Sequence, residues 1–343
     1  MDLTRKLRVV ADERVPYLRG VLEPYAEVRY LPGDAIKGAD VRDADILITR
    51  TRTRCDEALL GGSRVSLVCT ATIGTDHIDL PWCASAGIAV ESAPGCNAPA
   101  VAQYVMAAIL SEHTDPTGLI LGIVGVGHVG SIVDRWARSL GMHTLLCDPP
   151  RARREGSDRF VNHAELLSLS DIISYHVPLT RTGEDATVGL FGPEALAKVK
   201  RRPLLLNTCR GPVTATGSLL HGLDEGSLRA VAIDCWEGEP NIDHSLLARA
   251  AVATPHIAGY SRQGKLRATA MVLDAISRRF ALPKLTPALP VGMSLPAPVP
   301  DAVTCHEILS TYDIAADTRA LKADPSRFEA LRNEYALRRE PEQ

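Results

Sequence analysis

With 343 residues, a net charge of −3 and a pI near 6.4, the chain is long enough for two domains and an appendage. Its acids and bases are interspersed, which leaves no electrostatic footprint for nucleic acid or a membrane surface. No apolar run approaches the length of a bilayer span and the first residues lack the apolar core of a secretion signal, so a cytoplasmic protein acting on a small molecule is expected.

In chain order, short apolar runs at 7–10, 46–49, 67–71 and 88–90 alternate with helical stretches, a βα pattern that predicts a parallel sheet. An apolar stretch over 98–112, with Val101, Tyr104, Val105, Ala108 and Ile109 at helical spacing, predicts a long helix leading out of this half. A second βα series opens at Leu119 and continues through 144–147, 172–175, 204–207, 230–234 and 251–254, enough for a complete dinucleotide-binding unit. A helix over about 264–280 follows too late for that sheet and is expected to return to the first domain, before a proline-dense linker over 282–300. The charged, mainly helical remainder cannot bury much by itself and is expected to pack on a partner subunit. The eight cysteines occur singly and never as C-x-x-C, so they read as buried reduced thiols, and no metal is expected.

The turn after the first strand of the second series reads Gly125-Val-Gly127-His128-Val129-Gly130 and opens a helix over 131–140. Glycines there permit a tight turn and close approach of a pyrophosphate to the backbone, and the helix N-terminus supplies N–H donors to it. The next strand ends in Asp148, eighteen residues after Gly130, about where a carboxylate would take the ribose hydroxyls of NAD and repel the extra phosphate of NADP.

Three later strand ends carry the chemistry. Arg210 leaves Leu-Leu-Leu-Asn-Thr-Cys-Arg-Gly, Glu239 lies in Asp-Cys-Trp-Glu-Gly-Glu-Pro, and His256 lies in Thr-Pro-His-Ile-Ala. Moving a hydride from a carbinol carbon needs a base for the hydroxyl proton, and histidine suits this near neutral pH. A carboxylate beside such a ring favours its charged form and fixes its tautomer. A guanidinium grips a substrate carboxylate with paired hydrogen bonds. The set fits a 2-hydroxy acid.

These segments together, the glycine loop, 207–211, 234–240 and 254–258, resemble the D-isomer-specific 2-hydroxyacid dehydrogenases. The resemblance implies an α/β protein of two Rossmann-like, doubly wound parallel-sheet domains with a cleft between them, plus a small C-terminal dimerisation segment. Its boundaries would be 1–95 with 259–285 for substrate, 96–258 for NAD and 286–343 for the homodimer. It also implies Arg210 as carboxylate binder, Glu239 as partner and His256 as proton donor or acceptor.

Stretches over 70–79, 93–98, 146–151, 236–240, 255–260 and 332–340 are similar to the members of that family that oxidise 4-phospho-D-erythronate in vitamin B6 formation. By that resemblance Thr51, Thr72 and Tyr260 match substrate positions, and Asp234 and Gly259 match cofactor contacts. A four-carbon acid phosphate needs a second anion site, which Arg50 and Thr51 at a first-domain strand end could supply, with Arg338 reaching from the tail into a neighbouring active site to grip phosphate. The alternatives are a member acting on 3-phosphoglycerate or hydroxypyruvate, and an NAD-sensing corepressor on the same fold.

Overall fold

The computed structural model describes residues 5–156, 158–290 and 293–342. The chain forms two compact units, one of residues 1–97 with 262–297 and one of residues 98–261 with 298–343. Each is built on its own parallel sheet.

In the first unit β1 (Leu7–Asp12), β2 (Ala26–Leu31), β3 (Ile46–Thr49), β4 (Leu67–Thr70) and β5 (Ala89–Glu91) lie in the order β2-β1-β3-β4-β5, all parallel. β3 and β4 are buried on every residue, as expected for strands covered on both faces, and their sequences are correspondingly unbroken apolar runs. β2 was not among the expected strands. Its sequence Ala-Glu-Val-Arg-Tyr-Leu mixes polar and apolar residues because it is an edge strand with only one buried position. The helix Arg262–Phe280 belongs to this unit and buries Ala268, Val272, Leu273 and Ile276 in the same apolar cluster as Val9, Ile46 and Ile48.

In the second unit β6 (Ile120–Val124), β7 (His143–Cys147), β8 (Ile172–Tyr175), β9 (Leu204–Asn207), β10 (Ala230–Ile233) and β11 (Val252–Ala253) form a six-stranded parallel sheet in the order β11-β10-β9-β8-β6-β7. The helix Ala98–Glu112 is buried on every residue from Ala98 to Leu110, which explains why its sequence is apolar nearly all round rather than striped.

The tail departs from expectation. Its helices Cys305–Thr311, Ile314–Ala323 and Phe328–Asn333 pack on their own unit, with Val303, Ile308, Tyr312 and Ile314 in one apolar cluster with Tyr104 and Trp136. The Trp136 indole donates to the Pro300 carbonyl at 2.8 Å, and Gln103 donates to the Thr311 hydroxyl and the Arg339 carbonyl, both at 2.9 Å. A single tail too small for a core of its own thus finishes the core of the unit that precedes it. Seven of the eight cysteines are buried, and Cys305, on the first tail helix, is half-buried. Among the described residues no helix is long and apolar enough to cross a membrane.

Candidate active site

Open parallel sheets bind ligands outside the carboxyl ends of their strands, where the strand order reverses. In the second unit that point lies between β6 and β8. The glycine loop follows β6, and the segments 208–210, 234–239 and 254–260 follow β9, β10 and β11, which are neighbours in the sheet. Arg210, Glu239 and His256 are therefore brought to one edge by the topology.

Glu239 and His256 form the pair that the chemistry asks for. The Nδ1 atom of His256 lies 2.8 Å from Oε2 of Glu239, and Oε1 of Glu239 accepts the Trp236 N–H at 2.8 Å. Both carboxylate oxygens are thus committed and the ring is held by one nitrogen, with about a quarter of its side-chain surface (27%) open. Burial alone would push the Glu239 carboxyl up, but the His256 ring, the Trp236 N–H and the positive charge of Arg332 outweigh it and leave the group below its ordinary value.

The His256 backbone has φ +57, a left-handed conformation uncommon outside glycine, asparagine and aspartate, and it is pinned from below by Asp234. Asp234 accepts from the Thr254 hydroxyl at 2.7 Å and from the Ile257 and Ala258 N–H groups at 2.7 and 2.9 Å. Burial raises its carboxyl above the ordinary value even against these donors and the nearby His256. Expected as a cofactor contact, Asp234 is 1% exposed and its side-chain bonds go to the loop that carries His256.

Arg210 is half-buried, and its guanidinium donates through Nη1 to the Cys209 carbonyl at 2.8 Å, which holds the head group over the strand exit. The Gly211-Pro212 pair after it makes a single 3-10 turn, Gly211–Val213, before the helix Thr216–Asp224. The neighbouring thiols cannot serve as nucleophiles at neutral pH, because burial pushes Cys209 up to about 11 and Cys235 well above its ordinary value. His176, at the end of β8, is no base either: burial drives it down to about 3 and its ring is tied to Ser174 at 2.9 Å.

The glycine loop has the shape of a dinucleotide cradle. Gly125 has φ +89 and a Cβ there would stand 2.6 Å from the His176 carbonyl, whereas a Cβ on Gly130 would stand 2.1 Å from the Gly125 carbonyl. A Cβ on Gly127 would meet nothing within 4 Å, so this side of the loop is open. The helix His128–Ser139 begins at Gly127 with no side-chain cap, leaving its N-terminal N–H groups directed at that opening. His128 is exposed and Val129 half-buried on its first turn.

Asp148 accepts the Val126 N–H at 2.8 Å and caps the helix Pro149–Glu155 through the Arg151 N–H at 3.0 Å, so its carboxylate fastens the loop from the second strand. Arg151 beside it is held by Glu155 in two bonds of 2.7 Å. These residues fit an NAD-type cofactor, with pyrophosphate on the helix N-terminus and ribose near Asp148. Replacing Gly130 with alanine is expected to weaken NADH binding at least about tenfold, since the helix must withdraw from the loop that cradles phosphate. NADH fluorescence titration checks this, and an unchanged affinity would remove the loop from the cofactor site.

In the first unit the order also reverses, between β1 and β3. Asp12, fully buried at the end of β1, accepts from the Arg50 Nε at 3.0 Å and from the Arg14 N–H at 2.9 Å. Arg50 is thus aimed from the end of β3 with a quarter of its side chain (25%) exposed, and Thr51 after it is exposed. The Thr72 hydroxyl is 2.7 Å from that of Thr70.

Arg338 requires a correction. Expected to reach a phosphate, it is 7% exposed, and its guanidinium is spent inside its own unit. It donates to Gln103 Oε1 and the Ile257 and Ala100 carbonyls at 3.0 Å, to the Tyr260 carbonyl at 3.1 Å and to the Ala258 carbonyl, and lies over the Tyr312 ring at 4.2 Å from the centroid. A guanidinium has five N–H groups, and these partners absorb them. Arg338 is a clamp on the loop 257–260 that carries Gly259 and Tyr260.

A tail residue outside the expected set also bears on the pair: the positive charge of Arg332, on the helix Phe328–Asn333 and at the head of the family-like 332–340 stretch, adds a minor share to what holds the Glu239 carboxyl down.

Comparison with known proteins agrees with this geometry. Residues 103–258 match the sequence model of the D-isomer specific 2-hydroxyacid dehydrogenase, NAD binding domain. The chain belongs to the D-isomer-specific 2-hydroxyacid dehydrogenases. Among its relatives in that family is the erythronate-4-phosphate dehydrogenase of Porphyromonas gingivalis, 44% identical across 97% of this chain and 94% of the relative. The protein of the same name from Bacteroides fragilis is 43% identical across 97% of both. Among solved structures, the TT0316 protein of Thermus thermophilus superposes with a TM-score of 0.69 at 27% identity, covering 82% of this chain and all (100%) of that one.

Proposed function

We propose that the chain oxidises 4-phospho-D-erythronate to 2-oxo-3-hydroxy-4-phosphobutanoate with NAD, the step its near full-length relatives are named for. The observation that carries the chemistry is the 2.8 Å His256–Glu239 bond at the carboxyl end of the second sheet, with Arg210 on the adjoining strand end.

In this reading Arg210 holds the substrate carboxylate and orients the 2-hydroxyl toward Nε2 of His256. That nitrogen takes the hydroxyl proton, and Glu239 stabilises the imidazolium that results. The glycine loop Gly125–Gly130 and Asp148 would hold the dinucleotide, which would supply the acceptor for the C2 hydride. Arg50 and Thr51, with Thr72, supply the phosphate side of recognition, supported by the aim that Asp12 gives the Arg50 guanidinium. Tyr260 lines the substrate side and Gly259 the nicotinamide side, while Asp234 holds the 254–258 loop before them. A cytoplasmic homodimer belongs to the same proposal, resting on likeness to these relatives.

The test is single-turnover NADH formation with 4-phospho-D-erythronate, 3-phosphoglycerate and D-glycerate compared side by side. The four-carbon phosphate should be preferred by at least about a hundredfold over D-glycerate, which lacks the phosphate that two or three charge-assisted bonds would hold. Preference for 3-phosphoglycerate would move the enzyme to serine formation, and tight NAD binding without turnover of any of the three would replace catalysis with sensing.

A further inference from the structure

The thiol of Cys235 has no part in the proton transfer described above, yet it lies against the pair that performs it. One ligand atom each from Cys235, Glu239 and His256, a sulfur, a carboxylate oxygen and a ring nitrogen, lie within 4.8 Å of one another. We propose that these three side chains form a binding site for a soft divalent cation of the zinc type, whose occupation reversibly blocks the acid/base pair. The site stands on this geometry, and the block rests on the dehydrogenase reading above. The sequence carries no C-x-x-C pair to announce such a set.

All three donors are fastened to the strand end they share. Cys235 follows β10, and its N–H donates to the Asn207 carbonyl at 3.3 Å. Glu239 gives Oε1 to the Trp236 N–H at 2.8 Å, which leaves Oε2 turned to His256. The His256 N–H donates to the Asp234 carbonyl at 2.9 Å. The thiol's present partner is the Cys209 carbonyl at 3.4 Å, a weak bond that is readily exchanged. Cys235 itself is buried, so an ion enters past the open quarter of the His256 side chain.

The donor chemistry selects the ion. A thiolate, an imidazole and one carboxylate suit zinc or cadmium rather than magnesium, and three protein ligands leave a fourth position for water. Metal–ligand bonds of roughly 2.0–2.3 Å set the ligand atoms of a tetrahedral ion about 3.3–3.6 Å apart. The 2.8 Å contact of Glu239 with His256 therefore opens by about half an ångström to admit it.

Binding breaks the Cys235 S–H bond and releases that proton to solvent, as a coordinated thiol is deprotonated by the ion itself. No electrons are transferred. One thiolate, one carboxylate and a neutral ring around a divalent ion make a cluster without net charge, which an interior tolerates far better than an isolated cation. The ion takes the place of the Glu239–His256 hydrogen bond, so the carboxylate can no longer stabilise an imidazolium and proton transfer stops.

Cadmium chloride, added to the whole chain without substrate or cofactor, should raise the ultraviolet charge-transfer band of a cadmium–thiolate bond and saturate it at about one ion per chain. The band should persist in Cys305→Ala, disappear in Cys235→Ala, and need at least about tenfold more cadmium in His256→Asn. Micromolar zinc should suppress NADH formation from 4-phospho-D-erythronate and a chelator should restore it, while magnesium at the same concentration leaves the rate unchanged. The absence of a band in the wild type overturns the site whether or not any variant folds. A band that survives in Cys235→Ala, vanishes in Cys305→Ala or forms unweakened in His256→Asn overturns the three-donor set. Zinc that binds without slowing turnover overturns the block. A wild-type protein that shows the band but forms no NADH would remove the dehydrogenase reading and leave the cation site standing.

Discussion

Replacing His256 with asparagine is expected to lower kcat by about three to four orders of magnitude while leaving NADH affinity within about twofold of the wild type. Asparagine is the informative choice because the backbone at 256 has φ +57, a conformation it adopts more readily than other side chains of useful size. The loop should keep its three bonds to Asp234, so the loss is chemical and not conformational. The side-chain amide can still bond Glu239, but it cannot take a proton from a hydroxyl near neutral pH. The cofactor loop follows a different strand and should be untouched. Turnover close to wild type would remove His256 from the reaction, and a parallel loss of NADH binding would mean that the loop had collapsed.

Replacing Arg338 with methionine is expected to destabilise the second unit by about 3–5 kcal/mol, because the carbonyls of Ala100, Ile257, Ala258 and Tyr260 and the Gln103 amide oxygen would lose a shared donor in a site too closed for water. For a unit of this size that amounts to a fall of roughly 10 °C in its melting temperature. The effect should appear without substrate or phosphate present. A phosphate-gripping Arg338 predicts the opposite pattern: unchanged melting temperature and a raised KM confined to phosphorylated substrate. Differential scanning calorimetry of the free variant separates the two, and an unaltered thermogram would end the clamp reading.

The parts of the site that were legible in the sequence were those whose chemistry is local. An apolar run that breaks into Asn-Thr-Cys-Arg-Gly or Thr-Pro-His announces a buried strand and its exit within a few residues, and the glycine loop carries its own geometry. Edge strand β2 escaped because its Glu27 and Arg29 dilute the apolar signal on a strand with a single buried residue. Arg338 was misread for a different reason. A cation expected to meet a phosphate gives no local sign that carbonyls will consume it, and its partners at Gln103 and Ala100 lie 235 and 238 residues away. Arg332 is hidden in the same manner, since its electrostatic influence on Glu239 depends on where Phe328 seats the last helix. Asp234 was recognised as important, yet its burial and its grip on the 254–258 loop are properties of the folded strand end, not of the Asp-Cys-Trp motif.

The cysteine distribution gives the protein a built-in spectroscopic handle. Seven thiols are sealed in the two interiors, and the eighth, Cys305, sits at the first turn of the tail's leading helix with part of its surface in solvent. A maleimide fluorophore added to the native enzyme should therefore label one position in preference to the others, without any engineered cysteine. That position reports on whether the tail is seated, so the docking on which both arginines depend can be watched in the unmodified sequence.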